Sequence, residues 1–324
     1  MNIDFVSLRT FLTVCEKQSL TEAARTLRTT QSAVSQRLKK LEDQTKFCLL
    51  DRSLRPVGPT VAGQALLERA RRILAEVGEL EFELAERADL PIRELRLGIA
   101  DSLGSALVPP LVQAIRSSVH QLAVHVDGSG ELCQRLLERE LHAIISSEPL
   151  QDREDLERIE IYREPLVLIV PGNVTYVDDD SVEELRKLSA KMSFIRYSPV
   201  SPLARQIETH LSRFRIQPPR NLEFNESEAI LEMVSHGLGW TITTPLCLLQ
   251  ARVALSTIGI HPLPAGGMSR SFTLIYRRNE LGLLPGRLFH LCSTIINERV
   301  VERITLDLPW LMPHLSVTPS GHSV

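Results

Sequence analysis

The stretch SLTEAARTLRTTQSAVSQRLKKLE, residues 19–42, decides how the N-terminal end of this 324-residue chain is read. Ser19 followed three positions later by Glu22 is a capping box. The serine oxygen accepts an orphan N–H, the glutamate bonds back, and a helix starts near Leu20. That helix is short, with Leu20, Ala24 and Leu27 turned inward, and the Ala23-Ala24 pair suits a close approach of two helix backbones. Arg28-Thr29-Thr30 then predicts a tight polar turn, after which Thr30 or Ser32 caps a longer helix reaching Glu42. On that helix Val34, Leu38 and Leu41 lie four and three apart and form a core face. The opposite face presents Ser32, Ser35, Gln36 and Lys39, with Gln31 at the entrance. Asp and Glu are absent from Thr29 to Leu41. Short hydrogen-bonding side chains with one cation can read base edges in a major groove while resting on phosphate. A merely solvated face would alternate Glu and Lys.

Outward from this core, Leu8, Phe11, Leu12 and Cys15 fall at i, i+3, i+4 and i+7, which predicts a first helix and completes a helix-turn-helix module. On the other side, Phe47-Cys48-Leu49-Leu50 is a short β-prone run followed by Arg52, Arg55, Pro56 and Pro59. It predicts a small hairpin, a wing whose Arg52 and Arg55 grip the DNA backbone beside the groove. The charge distribution agrees. Residues 1–60 hold ten basic and six acidic side chains, a net +4, whereas the whole chain carries −3 and the remainder therefore −7. A basic head on an acidic body is expected when one end meets phosphate.

The order FLTVCEKQSLTEAARTLRTTQSAVSQRLKKLEDQ…CLLDRS…PTVAG resembles the LysR-type transcriptional regulators. Glu42, Arg52, Thr60, Ala62 and Gly63 fall on the family's motif positions. Two departures are Lys46, where the family has Gly, and Leu50, where it has Phe. The resemblance implies a winged helix-turn-helix, a linker helix that pairs two chains, and a two-lobed sensor similar to periplasmic binding proteins. It also implies four heads on two dimers as the usual assembly.

From Thr60 to about Ala88 the chain predicts one long helix. Leu66, Ala70, Ile73, Val77, Leu80 and Leu84 are spaced 4-3-4-3-4, an a/d heptad seam. Such a seam suits a partner helix, most simply a second copy, so the expected assembly is a homodimer, extended by the family to a homotetramer, on a pseudo-palindromic double-stranded operator.

The rest is α/β. Strand-like runs at 94–100, 122–126 and 142–146 alternate with helical stretches, predicting a parallel sheet with helices on both faces. A second set covers 165–170, 193–196, 221–225 and 239–244, and a late strand at 271–277 precedes a last helix at 286–302. The expected organisation is a winged helix-turn-helix over 1–59, a linker helix over 60–90 and a sensor over 91–304. The first lobe takes 91–164 and 270–304, the second 165–269, and residues 305–324, with three prolines, read as a flexible tail. Ligands of open α/β sheets bind beyond the carboxyl ends of strands. Those ends nominate Asp101, Ser102, Ser129, Ser198, Ser201, Asn225 and Thr243 as contacts for a small polar metabolite, with Ser102, Ser129 and Ser198 foremost. Helix N-termini aimed inward suit a small polar ligand, often an anion. Asp101 cuts against a simple dicarboxylate: it would repel an anion or, conversely, bind an amine. The run LEMVSHGLGWTITTP also resembles the family's second-lobe signature, with Gly237 and Gly239 allowing a tight turn into a buried strand.

No G-x-S-x-G elbow, P-loop, G-x-G-x-x-G or H-E-x-x-H is present, so an enzyme is not expected. Five scattered cysteines and nine dispersed histidines lack metal-ligand spacing, and neither a metal nor any other cofactor is called for. Without a signal-peptide pattern or a long apolar run, the expected location is the cytoplasm and no membrane partner is expected.

Overall fold

The computed structural model describes residues 3–51, 56–87, 92–177, 181–251, 253–264 and 266–318. The chain divides into two compact units, Met1–Ala88 and Asp89–Val324.

In the first unit, α1 (Phe5–Lys17), α2 (Leu20–Thr26) and α3 (Gln31–Thr45) surround one core. Leu8, Phe11 and Val14 from α1, Ala23 and Ala24 from α2, and Val34, Leu38 and Leu41 from α3 are all buried. The caps fall where the sequence places them, but only half of the expected capping box forms: the Glu22 carboxylate accepts from Arg25 at 3.0 Å instead of bonding back to Ser19. Ser19 accepts the Glu22 N–H, and Thr30 accepts the Ala33 N–H at 3.2 Å, which settles the third cap on Thr30. Ser32 lies beside it, its hydroxyl 2.9 Å from that of Thr30. Asp4 caps α1 and takes a 2.9 Å ion pair from Lys40 of α3; with those donors its carboxyl pKa falls to about 2.

Glu42 reaches out of α3 to accept the Leu49 N–H at 2.9 Å, holding the start of β1 (Leu50–Asp51), which pairs antiparallel with β2 (Gly58–Pro59). Between Glu42 and Leu49, α3 ends on Lys46, whose φ of +63° is the left-handed region. A side chain there costs about 1–2 kcal/mol, partly offset by the greater chain entropy that glycine loses on folding. Lys46→Gly is therefore expected to stabilise this unit by about 0.5–1 kcal/mol, read as an upward shift in its thermal unfolding. An unchanged or lower midpoint would refute the strain.

Helix α4 (Val61–Arg87) runs 27 residues, roughly 40 Å at 1.5 Å per residue. Thr60 caps it, accepting the Gly63 N–H at 3.0 Å while its hydroxyl donates to the Cys48 carbonyl at 2.7 Å. The first turns belong to the head. Leu67 and Ala70 are buried in its core, and Leu66 and Leu74 pack against it. This corrects part of the expected seam: Ala70, fully buried within its own chain, has no surface left for a second helix. Ile73 is 39 % exposed, and the side chains of Leu80 and Leu84 lie outside the described residues.

In the second unit, a six-stranded sheet has the order β13-β6-β12-β5-β3-β4, from β3 (Ile92–Ala100), β4 (Val119–Asp127), β5 (Ala143–Ser146), β6 (Leu156–Pro165), β12 (Ser269–Arg277) and β13 (Ser316–Val317). Only β4-β3-β5 are parallel; β12 runs antiparallel to both β5 and β6. The expected all-parallel sheet is thus mixed, because the chain returns from the second lobe in the opposite direction. Helices α5 (Asp101–Ile115), α6 (Ser129–Leu137) and α11 (Leu284–Ile296) pack on it.

The second lobe builds on β7 (Val167–Pro171), flanked antiparallel by β10 (Thr241–Thr243) and β11 (Ile258–Pro262). A parallel bridge from Phe194 to Trp240 links this sheet to β8 (Ile195–Tyr197) and its parallel neighbour β9 (Leu222–Phe224). At that bridge Gly239 is needed for space, since a Cβ would sit 2.3 Å from the Ser193 carbonyl oxygen. Gly237, at φ +78°, makes the turn before it. Helices α7 (Val182–Lys191), α8 (Pro202–Arg213), α9 (Ser227–Ser235) and α10 (Pro245–Gln250) complete the lobe.

The tail expectation also needs correction. A π turn (Asn297–Val301), α12 (Glu302–Asp307) and a 3-10 helix (Pro309–His314) lead to β13, which pairs with Arg163 and Tyr162 at the edge of β6. Leu311, between two of the tail prolines, is fully buried. Prolines start 3-10 turns as readily as they break helices, and an edge strand tolerates the irregularity around it. His142, just before β5, accepts the Arg96 N–H through Nδ1 at 3.1 Å. Burial, then the nearby Arg96 and Arg277 charges, push its pKa down to about 3, so it packs as a neutral ring.

Candidate functional site

The first site is the outward face of α3. Gln31, Ser32, Gln36 and Lys39 are exposed and Ser35 is half-buried, while Val34, Leu38 and Leu41 on the opposite side anchor the helix. Three anchored positions fix the helix rotation, so the five polar residues share one surface. Lys39 has no ion pair among the described residues, whereas the neighbouring Lys40 is engaged by Asp4. One face thus offers hydroxyl and amide donors and acceptors with a free ammonium. Arg52 and Arg55, the expected wing contacts, lie outside the described residues.

The second site is a cleft of about 1030 Å³ in the second unit. Its first-lobe wall is made where parallel strands end: β3 runs into Asp101 and Ser102, β4 into Gly128 and Ser129, and β5 into Ser147. Ser129 Oγ accepts the Ser147 N–H at 3.1 Å, which locks two of these ends together. The facing wall comes from the ends of β8 and β9, with Ser198, Ser201, Asn225, Glu226 and Ser227. Helices α5, α6, α8 and α9 all begin here, so their free N–H groups and positive dipole ends gather at one place. Six of the seven nominated residues, Asp101, Ser102, Ser129, Ser198, Ser201 and Asn225, line the cleft. Thr243 does not. It is fully buried, 2.6 Å from the Tyr197 hydroxyl, which itself lines the cleft and touches Ser227 Oγ at 3.2 Å. Thr243 supports a wall residue; alternation on β10 turns its side chain away from the opening. Burial pushes the Tyr197 pKa up, which keeps the hydroxyl a neutral donor.

The floor holds side chains that reading of strand ends missed: Cys247, Gln250 and Arg270. Arg270 donates through Nε and Nη2 to Glu164 at 3.1 and 2.6 Å, and through Nη2 to Thr244 at 2.8 Å. Glu164, fully buried, also accepts the Leu246 N–H at 2.9 Å. Glu164 and Arg270 are cross-strand partners on β6 and β12, the two segments by which the chain passes between lobes. The ion pair therefore ties both crossovers to the start of α10. Two further contacts join the walls: Arg205 of α8 pairs with Glu148 at 2.7 Å, and Gln250 donates to the Asp101 carbonyl at 2.9 Å. An arginine at one crossover and a glutamate at the other was the available signal for this floor.

All five cysteines are free, and burial raises the pKa of the Cys133 thiol. Among the described residues no group of His, Cys, Asp and Glu could hold a metal ion, and no helix is long and apolar enough to cross a membrane.

Comparison with known proteins matches both units. Residues 5–64 match the profile described as "Bacterial regulatory helix-turn-helix protein, lysR family", and residues 88–290 match "LysR substrate binding domain". The HTH-type transcriptional regulator CzcR of Bacillus subtilis is 25 % identical over 294 residues, covering 90 % of this chain and 96 % of CzcR. A probable RuBisCO transcriptional regulator of Chlorokybus atmophyticus is 30 % identical over 235 residues, covering 70 % of this chain and 74 % of that protein. Among solved structures, a full-length OxyR variant from Pseudomonas aeruginosa superposes with a TM-score of 0.71 at 22 % identity, over 93 % of this chain and 97 % of its own. With a DNA-binding head of matching motif and a matching sensor fold on one chain, this protein belongs to the LysR family of transcriptional regulators.

Proposed function

We propose that this regulator reads a specific operator through α3 and that a small polar metabolite, bound in the interlobe cleft, alters its hold on DNA. The observation that carries the reading is the acid-free polar face of α3, held in one rotation by Val34, Leu38 and Leu41. Gln31, Ser32, Ser35 and Gln36 contact base edges; Lys39, together with Arg52 and Arg55 of the wing, rests on phosphate. Two heads address the half-sites of a pseudo-palindromic operator, paired along the part of α4 beyond Ala70, where Ile73, Val77, Leu80 and Leu84 continue the heptad spacing. Two such dimers make the tetramer. The ligand that binds the closed cleft better than the open one shifts the population of lobe geometries.

Binding of the full chain to its own upstream DNA, measured against salt, tests this. Lys39→Ala is expected to weaken binding to all sequences alike and to reduce the slope of log K against log salt by about 0.9. Gln36→Ala is expected to cost about 1–3 kcal/mol on the operator and little on random DNA. Equal losses of Gln36→Ala on both would remove its base-reading role, and no shift with any fragment at low salt would sink the proposal as a whole.

A further inference from the structure

The charges around the cleft are unbalanced, and the imbalance faces across it. Asp101 and Glu131 stand on the first-lobe wall, in the first turns of α5 and α6; Glu226 and Glu228 stand opposite, at the cap and first turn of α9. All four carboxylates are exposed, and none has an ion-pair partner among the described residues. Arg270 is the one cation among the lining residues, and Glu164 at 2.6 Å already balances it. Arg205, at the rim, is matched by Glu148.

Acidic residues in first helical turns are ordinary, because they complement the helix dipole. Here the numbers exceed that role. The N-termini of α5, α6, α8 and α9 contribute about half a positive charge each, roughly +2, against four carboxylates. The cleft remains negative by about two charges. Two like-charged walls also repel each other, so the closed geometry lacks a positive group between them.

A second observation marks the first-lobe wall. Ser102 is 6 % exposed and lines the cleft, yet its hydroxyl makes no hydrogen bond to any described residue. The hydroxyl is not sealed among protein atoms; it opens into the cleft and is available to a ligand there. Its neighbours Ser129 and Ser147 are satisfied by one another.

We propose that the effector is a small molecule carrying a protonated amine, which sits between Asp101 and Glu131 on one wall and Glu226 and Glu228 on the other. Its remaining polar end reaches the Ser102 hydroxyl. The amine supplies the charge that lets the two acidic walls approach, so binding and closure are one electrostatic event. This inference rests on the ligand-responsive reading above and names its chemistry. A dicarboxylate meets net repulsion in the same space.

The test uses the full chain, with 1,4-diaminobutane and L-lysine as amine probes and succinate as the anionic control. The readouts are thermal unfolding of the second unit and titration calorimetry at low salt. At least one amine is expected to raise the midpoint saturably, by an amount that shrinks as salt rises. Succinate should leave it unchanged. Glu226→Gln with Glu228→Gln, both at exposed positions outside the core, should weaken the amine at least tenfold. The two amines separate two sources of the same chemistry. Ser102→Ala weakens lysine but not diaminobutane if a carboxylate sits against Ser102, and weakens both or neither if only amines are read. Absence of a shift with both amines overturns the proposal, as does an amine shift that survives the double Gln variant. Stabilisation by succinate that Ser102→Trp abolishes would overturn the amine assignment while leaving a ligand-responsive regulator with an anionic effector. No response to any compound, with operator binding equally indifferent, would remove both.

Discussion

Replacing Arg270 by methionine is expected to lower the stability of the second unit by about 3–5 kcal/mol, the cost of leaving a buried charge without its partner. Glu164 is fully buried and takes two of its hydrogen bonds from the Arg270 guanidinium. Without them only the Leu246 N–H, at 2.9 Å, and the Tyr162 hydroxyl, at 3.4 Å, remain to solvate the carboxylate. For a unit of this size such a loss lowers the melting midpoint by roughly 10 °C. The pair itself is worth much less than its rupture. Desolvation of both ions offsets most of their attraction, so Glu164→Gln combined with Arg270→Met should recover a large part of the loss. Denaturant unfolding of the wild type, both single variants and the double variant closes the cycle. A loss under about 1 kcal/mol for Arg270→Met, or a double variant worse than the sum of the singles, would contradict this account.

The second large effect belongs to the head. A Cβ on Gly63 would lie 2.0 Å from the carbonyl oxygen of Leu49 and 3.1 Å from Pro59 Cβ. The obstacle is backbone, which no rotamer change relieves, and it is held by the Glu42 carboxylate at the Leu49 N–H and by the Thr60 N–H at the Leu49 carbonyl, 3.0 Å away. Gly63→Ala is therefore expected to cost about 3 kcal/mol, the upper end of overpacking effects. In a unit of 88 residues that moves the midpoint by more than 10 °C. DNA binding should fail at temperatures where the second unit still melts normally. Retention of full operator affinity at 37 °C, with an unshifted head transition, would show that the loop yields.

These cases also show why some parts of the molecule are legible in its sequence and others are not. Ser19, Thr30, Val34, Leu38 and Leu41 act over three or four residues, and each caps or packs where that short range places it. The Thr60 cap and the Gly63 contact belong to a motif that could be matched, but its reason, a carbonyl pressed against α4, is a contact across fourteen residues. The floor of the cleft was out of reach for the same cause. Glu164 and Arg270 meet only because β6 and β12 are neighbours, and β6, whose Glu and Arg side chains interrupt its apolar positions, gives a weaker strand signal than the buried runs beside it. Strand ends bring six of the nominated residues to one cleft because the rule behind them is topological. Thr243 failed because that rule fixes a position along a strand, not which side of it faces the opening. The heptad along α4 misled in part. A helix that leaves a small head shares its first turns with that head, and spacing alone cannot say which partner takes them.

The adjacency of Pro165 and Ser269 has one more consequence. The hundred or so residues of the second lobe leave and rejoin the first between two hydrogen-bonded neighbours, with the Leu166 N–H donating to the Met268 carbonyl at 2.8 Å. In topological terms the lobe is an insert within a β-hairpin. Closing the gap with a short turn would leave the six-stranded sheet in register, and lengthening or exchanging the insert costs little loop entropy. One wall of the cleft is therefore free to be replaced by recombination while the other, with the strands beneath it, stays unaltered. A chain built this way can change half of its cleft without disturbing the other half.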